Sequence, residues 1–367
     1  MKRALALALL ALAYLAYTFR VGGEVSLLGA GSSFQYPLMS RWISEYRKVN
    51  PKVSVSYQSV GSGAGIRLLT AGSVDWGSSD VPMSREERAK APDVLHIPVT
   101  LGGVAVVYNL PELGGRLKLT GELLAAIYLG KVRKWSSPEI RAVNPGLNLP
   151  DEEIVVVKRA DGSGTTYILT DYLSEVSEEW RLRVGRGKTF SFPPEVGARG
   201  IAAKGNEGVA AVVRQSKCSI GYVELAYAIQ SSLQTALIRN RDGFFVEPNL
   251  TTISAAAAGA AGLLPRGDES WEHVSIVNAP GRLSYPISSF SYVIVCRVQE
   301  SPEKARALAE FLTWVVTEGQ RYAPQLHYPP LPREVVELNL QTIAMITSEG
   351  SGGRQQLRCN LLSYTRH

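Results

Sequence analysis

The stretch Arg159-Ala160-Asp161-Gly162-Ser163-Gly164-Thr165-Thr166 decides how the chain is read. Before it stands an apolar run, Ile154-Val155-Val156-Val157, with the length and composition of a buried strand. After it comes Tyr167-Ile168-Leu169-Thr170-Asp171-Tyr172-Leu173, which reads as a helix. A strand that turns through small residues into a helix leaves backbone N–H groups without partners at the helix start. Those groups and the positive end of the helix dipole form a seat for an anion. Arg159 adds a permanent cation whose planar fork holds two oxygens at once. Ser163, Thr165 and Thr166 add hydroxyl donors.

Two more turns have the same make-up. Gly29-Ala30-Gly31-Ser32-Ser33-Phe34 follows Val25-Ser26-Leu27-Leu28 and leads into apolar residues at helical spacing over 36–46. Gly61-Ser62-Gly63-Ala64-Gly65 follows the alternating Val53-Ser54-Val55-Ser56-Tyr57 and leads into Ile66-Arg67-Leu68-Leu69. Any one such turn is equally an ordinary helix cap. Three in one chain point to one anion site assembled from several helix starts. Ser73-Val74-Asp75-Trp76-Gly77-Ser78-Ser79-Asp80 adds a short strand running into a polar turn, and Val104-Ala105-Val106-Val107-Tyr108 a further strand. This alternation argues for α/β architecture with a largely parallel sheet.

The 367 residues are enough for two domains with substantial cores. Lys and Arg number 39 against 33 Asp and Glu, a net charge of +6. The basic residues are scattered, with no run of five or six, so they read as a solvated surface and not as a nucleic-acid or membrane-binding face. Cys218, Cys296 and Cys359 make neither a disulfide framework nor a zinc motif, and Cys296 reads as a buried apolar residue. His96, His273, His327 and His367 are too far apart for a helical metal site. Gly187-Lys188-Thr189 resembles the end of a nucleotide P-loop, but Leu182 stands where its first glycine is required. No serine sits in a nucleophile elbow or beside an evident base. The chain offers many oxyanion donors and little that makes or breaks a bond. No catalytic residue, metal or cofactor is expected.

The N-terminus opens with Met1-Lys2-Arg3 and continues with the uncharged stretch Ala4 to Phe19. Residues 1–22 therefore read as a secretory signal or a retained anchor, which places the working part outside the cytoplasm. Toward the C-terminus, helices are expected over 253–264, 302–317 and 332–347, with 319–323 continuing the second of them. The tail 348–367 is polar and reads as loose. Asn249-Leu250-Thr251 has the form of a glycan acceptor.

Six motifs in order carry a family resemblance: Gly-Ala-Gly-Ser-Ser-Phe (29–34), Gly-Ser-Gly-Ala-Gly (61–65), Val-Asp-Trp-Gly-Ser-Ser-Asp-Val-Pro-Met-Ser (74–84), Arg-Ala-Asp-Gly-Ser-Gly-Thr-Thr (159–166), Gly-Asn-Glu-Gly-Val-Ala-Ala (205–211) and Ile-Gly-Tyr-Val-Glu (220–224). Over roughly Ser26 to Ile346 the chain resembles the phosphate-binding protein of the high-affinity phosphate ABC importer. The resemblance implies a two-lobed, periplasmic-binding-protein-like α/β fold with hinge strands and a ligand cleft between the lobes. Lobe I would comprise 23–103 plus 283–347 and lobe II 104–282, with crossings near Leu101–Tyr108 and Arg282–Tyr292. The implied ligand is inorganic phosphate and the implied partners are membrane permease subunits, with the receptor itself a monomer.

Carried over by motif, the phosphate contacts are Ser33, Phe34 through its N–H, Ser62 and Asp80 on one side. Arg159, Ser163, Gly164 and Thr165 supply the other. Ser33 stands where the family often has Thr, and the Gly-Ser-Gly-Ala-Gly turn departs from the usual Gly-Ser-Ser-Gly-Gly; neither change removes a named donor. Asp161 is expected to orient Arg159. Asp80 has the wrong charge for an anion site unless it accepts the proton that phosphate still carries at neutral pH. Sulfate has no such proton, and an unpaired buried contact of that kind costs roughly 1–3 kcal/mol. Alone, Asp80 also reads as a capping residue before Pro82. Two alternatives remain at this point: a phosphatase on the same scaffold, and a receptor for another tetrahedral oxyanion such as sulfate or molybdate.

Overall fold

The computed structural model describes residues 24–348. The signal-like segment 1–22 and the tail beyond Ser348 lie outside the described residues. In chain order the strands are β1 (Val25–Gly31), β2 (Val53–Ser59), β3 (Trp76–Ser79), β4 (Val94–Tyr108), β5 (Lys118–Leu119), β6 (Val155–Arg159) and β7 (Gly200–Ala203). They continue with β8 (Ser219–Glu224), β9 (Gln234–Thr235), β10 (Leu237–Arg239), β11 (Phe245–Val246), β12 (Ser288–Cys296), β13 (Val298–Gln299) and β14 (Thr347–Ser348).

One sheet runs in the order β2-β1-β3-β12-β4-β8-β6-β7, with β9 beside β4. At one end β1 pairs in parallel with β2 and β3. At the other, β6 pairs in parallel with β7 and β8. The middle is antiparallel: β12 against β3 and β4, and β4 against β8. The sheet is therefore mixed and not largely parallel as expected. The cause is that β4 and β12 run between the two parallel ends in opposite directions.

All 15 residues of β4 are buried. From Val94 to Gly103 it pairs with β12, and from Val104 to Tyr108 with β8. A strand covered on both faces throughout is apolar without alternation. One that changes partner midway joins the two ends of the sheet.

Each parallel end is covered by helices that start at the strand tips. The helix Ser62–Thr70 lies against β1 and β3 with backbone nearly touching backbone. A Cβ on its Gly65 would fall 2.5 Å from Gly31 Cα and 2.8 Å from the Ser78 carbonyl oxygen. Only glycine allows that approach, which sets the height at which the second turn stands above the sheet.

The late helices depart from the expected limits. The helix Pro302–Val316, capped by Ser301, ends at Thr317 (φ −111°, ψ −95°), and Glu318–Tyr322 follows as a tighter 3-10 turn, not as its extension. The alanine-rich helix is Leu250–Ala258, earlier than periodicity suggested, because Asn249 accepts the Thr252 N–H and fixes its start. The Asn249 amide also donates to Glu247, so the glycan-like triplet serves as a helix cap. The last helix is Arg333–Ile343, and the chain then leaves it to pair β14 with β13. Cys218 is a free thiol. Cys296 is half-buried at the end of β12 and disulfide-bonded, contrary to its reading as a buried apolar residue, because the strand is leaving the core there.

Gly65→Ala is expected to lower stability by about 1–3 kcal/mol through overpacking against β1 and β3. Urea unfolding measures this, and an unchanged midpoint would show that the helix moves away freely.

Candidate functional site

The tips of β1, β2, β3 and β6 bring the small-residue turns into contact. Gly61 has φ +89°, and a Cβ there would lie 2.5 Å from Asp161 Oδ2. Gly63 N–H donates to the Gly162 carbonyl (2.9 Å), and Gly164 N–H donates to Ser62 Oγ (3.2 Å). A Cβ on Gly164 would sit 2.5 Å from Asp80 Oδ2 and 2.6 Å from Ser62 Oγ. Backbone from β6's turn is thus pressed against side chains from the β2 and β3 turns.

Asp80 lies at the centre, 1% exposed. Its Oδ1 accepts from the hydroxyls of Ser32 and Ser291, the latter at 2.7 Å. Its Oδ2 accepts from Ser62 Oγ at 3.1 Å. Burial pushes this carboxyl above its usual range, while the three hydroxyls and the Arg159 charge pull it back. Three donated protons suit an ionised group, and Oδ2 keeps room for one more donor.

The opposite wall is built on β6 and the helix Gly164–Val176. Arg159 is 2% exposed and is held by Asp161, with Nε 2.8 Å from Oδ1. Asp161 also accepts the Gly205 N–H at 3.0 Å. Burial alone would raise the Asp161 carboxyl, but its hydrogen bond and charge contact with Arg159 outweigh it and hold the group below the usual range. The Arg159 Nη1 reaches Thr165 Oγ1 at 3.4 Å. Ser163 caps the helix by accepting the Thr166 N–H at 3.1 Å.

The hydroxyl protons give the site its character. Ser33 Oγ accepts from both the backbone N–H (3.4 Å) and the side-chain amide (3.0 Å) of Asn206. Thr165 Oγ1 accepts from Arg159 and from Asn206 (3.3 Å). Ser163 Oγ accepts from Thr166. Each of these three oxygens has its acceptor role filled by protein, so each keeps its own proton to give. Together with the guanidinium and the helix start, the cluster is rich in donors, with Asp80 as an acceptor beside the Asp161 already spent on Arg159 and Gly205. That is complementary to an anion bearing a proton.

The structure brings all eight expected residues into this cluster: Ser33, Phe34, Ser62, Asp80, Arg159, Ser163, Gly164 and Thr165. The Phe34 N–H donates to Ser32 Oγ at 2.9 Å, and its buried ring packs where a Cβ on Gly102 would be. Sequence reasoning missed Ser32, Ser291 and Asn206. Ser32 is adjacent to a chosen serine, and Asn206 lies in the quoted motif Gly205-Asn206-Glu207-Gly208, so both had a local signal. Ser291 had none, since it arrives on β12 from 211 residues away. Two contacts flank the cluster: Tyr227 donates to the Ser33 carbonyl at 2.7 Å, and Lys188 Nζ meets Glu87 at 2.7 Å.

This fold and this cluster have known relatives. The model described as PBP superfamily domain matches residues 20–318, so the chain is of the PBP class. The phosphate-binding protein PstS of Pasteurella multocida is 43% identical over 333 residues, covering 89% of this chain and 92% of that one. That of Methanocaldococcus jannaschii is 39% identical over 332 residues, with 86% and 85% covered. At such identity and coverage the chain belongs to the family of phosphate-binding proteins called PstS. In fold it is similar to a phosphate-binding protein from Stenotrophomonas maltophilia (TM-score 0.69, 18% identity, 87% of this chain and 94% of that one). It is likewise similar to PfluDING, a high affinity periplasmic phosphate-binding protein solved with phosphate (TM-score 0.68, 19% identity, 87% and 93%).

Asp161→Asn removes one partner of a buried ion pair, which is expected to cost about 3 kcal/mol or more at neutral pH. The carboxylate's contribution is full above its ordinary pKa of 3.8 and is lost as pH falls through the depressed folded value. Denaturant unfolding of both proteins at neutral and acid pH tests this. The difference should shrink on acidification, and a constant difference would mean that Asp161 acts by shape alone.

Proposed function

We propose that the chain binds inorganic phosphate in this cluster, outside the cytoplasm, and delivers it to the permease subunits of an ABC importer. The observation that carries the reading is a buried carboxylate, Asp80, set among hydroxyls that give it their protons. A fully deprotonated oxyanion would meet Asp80 with like charge and no proton between them. Phosphate in its protonated forms satisfies both the donors and this acceptor, which is discrimination by repulsion. Ser33, Ser163 and Thr165 would supply hydroxyl protons and Arg159 the paired positive charge. The N–H groups of Phe34 and Gly164 and the Ser62 hydroxyl would turn to the ligand from Ser32, Ser62 and Asp80, to which they donate in this structure.

The lobes are taken as 23–103 plus 283–347 and 104–282, with β4 and β12 as the crossings. The partner switch of β4 between Gly103 and Val104 supports that division. Ligand enters between the lobes and is held by contacts from both, in the manner of domain closure. The role is binding and not catalysis, and the working unit is a monomer. The names of the relatives support phosphate binding. The charged head Met1-Lys2-Arg3 and the uncharged stretch after it support a receptor secreted or tethered through residues 1–22. No helix among the described residues is long and apolar enough to cross a membrane.

Calorimetric titration with phosphate and sulfate tests the reading. Phosphate is expected to bind tightly and sulfate weakly or not at all, with Asp80→Asn narrowing the gap. Equal binding of the two anions would remove the assigned role of Asp80. Arg159→Ala is expected to cost several kcal/mol of phosphate affinity, about 2–5 for a buried charged contact, and unchanged affinity would take Arg159 out of the site.

A further inference from the structure

A second buried carboxyl lies close to the cluster, and its surroundings are the reverse of those of Asp80. Glu224 ends β8, is wholly buried and sits opposite Val104, where β4 changes partner. Its Oε2 accepts the Ala226 N–H at 2.7 Å and lies 3.0 Å from the Tyr328 hydroxyl. That hydroxyl lies 2.6 Å from the Phe34 carbonyl. Glu224 Oε1 is buried with no hydrogen-bond partner among the described residues.

Counting protons decides the state of this chain of contacts. A carbonyl only accepts, so the single proton of Tyr328 goes to Phe34. The Tyr328–Glu224 contact then needs a proton from Glu224. An ionised carboxylate would also leave Oε1 as a charged oxygen with no donor, which is far costlier than a bare carbonyl oxygen. Asp80 receives three hydroxyl protons, whereas Glu224 receives none that Tyr328 can spare.

We propose that Glu224 is a neutral carboxylic acid in the folded protein, and that through Tyr328 it positions the Phe34 turn of the anion site. The second half rests on the function proposed above; the first half does not. The neighbouring groups agree. Burial holds the Glu224 carboxyl well above its usual range, the Ala226 and Leu225 N–H groups draw it back, and the Asp80 charge pushes it up further. Tyr227, which carries the Ser33 carbonyl, also faces it, and Glu207 acts on that phenol. The result is a pair of buried carboxyls with divided tasks: one kept as an acceptor and one kept as a donor.

The test compares wild type with Glu224→Gln, a neutral isostere, by thermal unfolding without ligand across pH. At pH below its ordinary value of 4.5, Glu224 is protonated in both folded and unfolded chains. Above it, the unfolded chain loses the proton and the folded one keeps it, so wild type loses stability that the glutamine variant retains. The melting-temperature advantage of E224Q is therefore expected to widen from pH 4.5 toward neutral. A gap that is flat or reversed overturns the neutral state. The amide cannot both accept the Ala226 N–H and donate to Tyr328 through one atom. If that prevents folding, the infrared carbonyl band of a protonated carboxyl in ligand-free wild type at neutral pH decides instead, and its absence overturns the proposal.

Calorimetry with phosphate at neutral pH tests the positioning role. E224Q is expected to bind within about threefold of wild type, and Tyr328→Phe about tenfold more weakly, the effect of one lost hydrogen bond. Wild-type affinity in Tyr328→Phe overturns the positioning role. Wild-type protein that binds no phosphate would defeat the proposed function and leave the ligand-free pH result standing.

Discussion

The constraint on which the rest depends is the need to hold an ionised carboxylate in a place without water. Asp80 is buried at the meeting point of three turns and is stabilised by hydroxyls from three different segments: Ser32 after β1, Ser62 after β2 and Ser291 on β12. Such a group is costly unless its lone pairs are satisfied. Satisfying them requires β1, β2, β3 and β12 to end or pass within a few ångströms of one another. The glycines at 61 and 65 and the close packing of the helix Ser62–Thr70 follow from that requirement.

The same geometry explains why the site is donor-rich elsewhere. Arg159 is fixed by Asp161, and Asp161 by Gly205. Asn206, one residue on, spends its amide protons on Ser33 and Thr165, and its amide oxygen accepts the Glu224 N–H at 3.0 Å. The turn after β1 is therefore tied to the start of the helix Gly164–Val176 through a single side chain. Held in this way, the hydroxyls of Ser33 and Thr165 keep a proton to give, and donors fixed beforehand lower the cost of binding.

Much of this was legible in the sequence, and for local reasons. The turns at 29–34, 61–65 and 159–166 announce themselves because glycine and serine between a strand and a helix have few other uses. Seven of the eight expected residues lie in those turns and Asp80 directly follows β3, which pairs with β1, so the structure brings them into one cluster. What was not legible is what depends on long-range pairing. Ser291 lies in an apolar strand, and nothing near it hints that Asp80 will be opposite. The antiparallel middle of the sheet is equally hidden, because β4 reads as one apolar run whichever partner lies beside it. Helix ends were misjudged where a cap or a departing strand, such as Asn249 or β14, overrode the periodicity.

The most direct test of the central claim is a crystal structure of the protein with phosphate. An oxygen of the anion should lie within hydrogen-bond distance of the Asp80 carboxylate, with other oxygens on Arg159 and the N–H groups at the start of the helix Gly164–Val176. Phosphate bound elsewhere, or bound here with Asp80 turned out of its reach, would contradict the account.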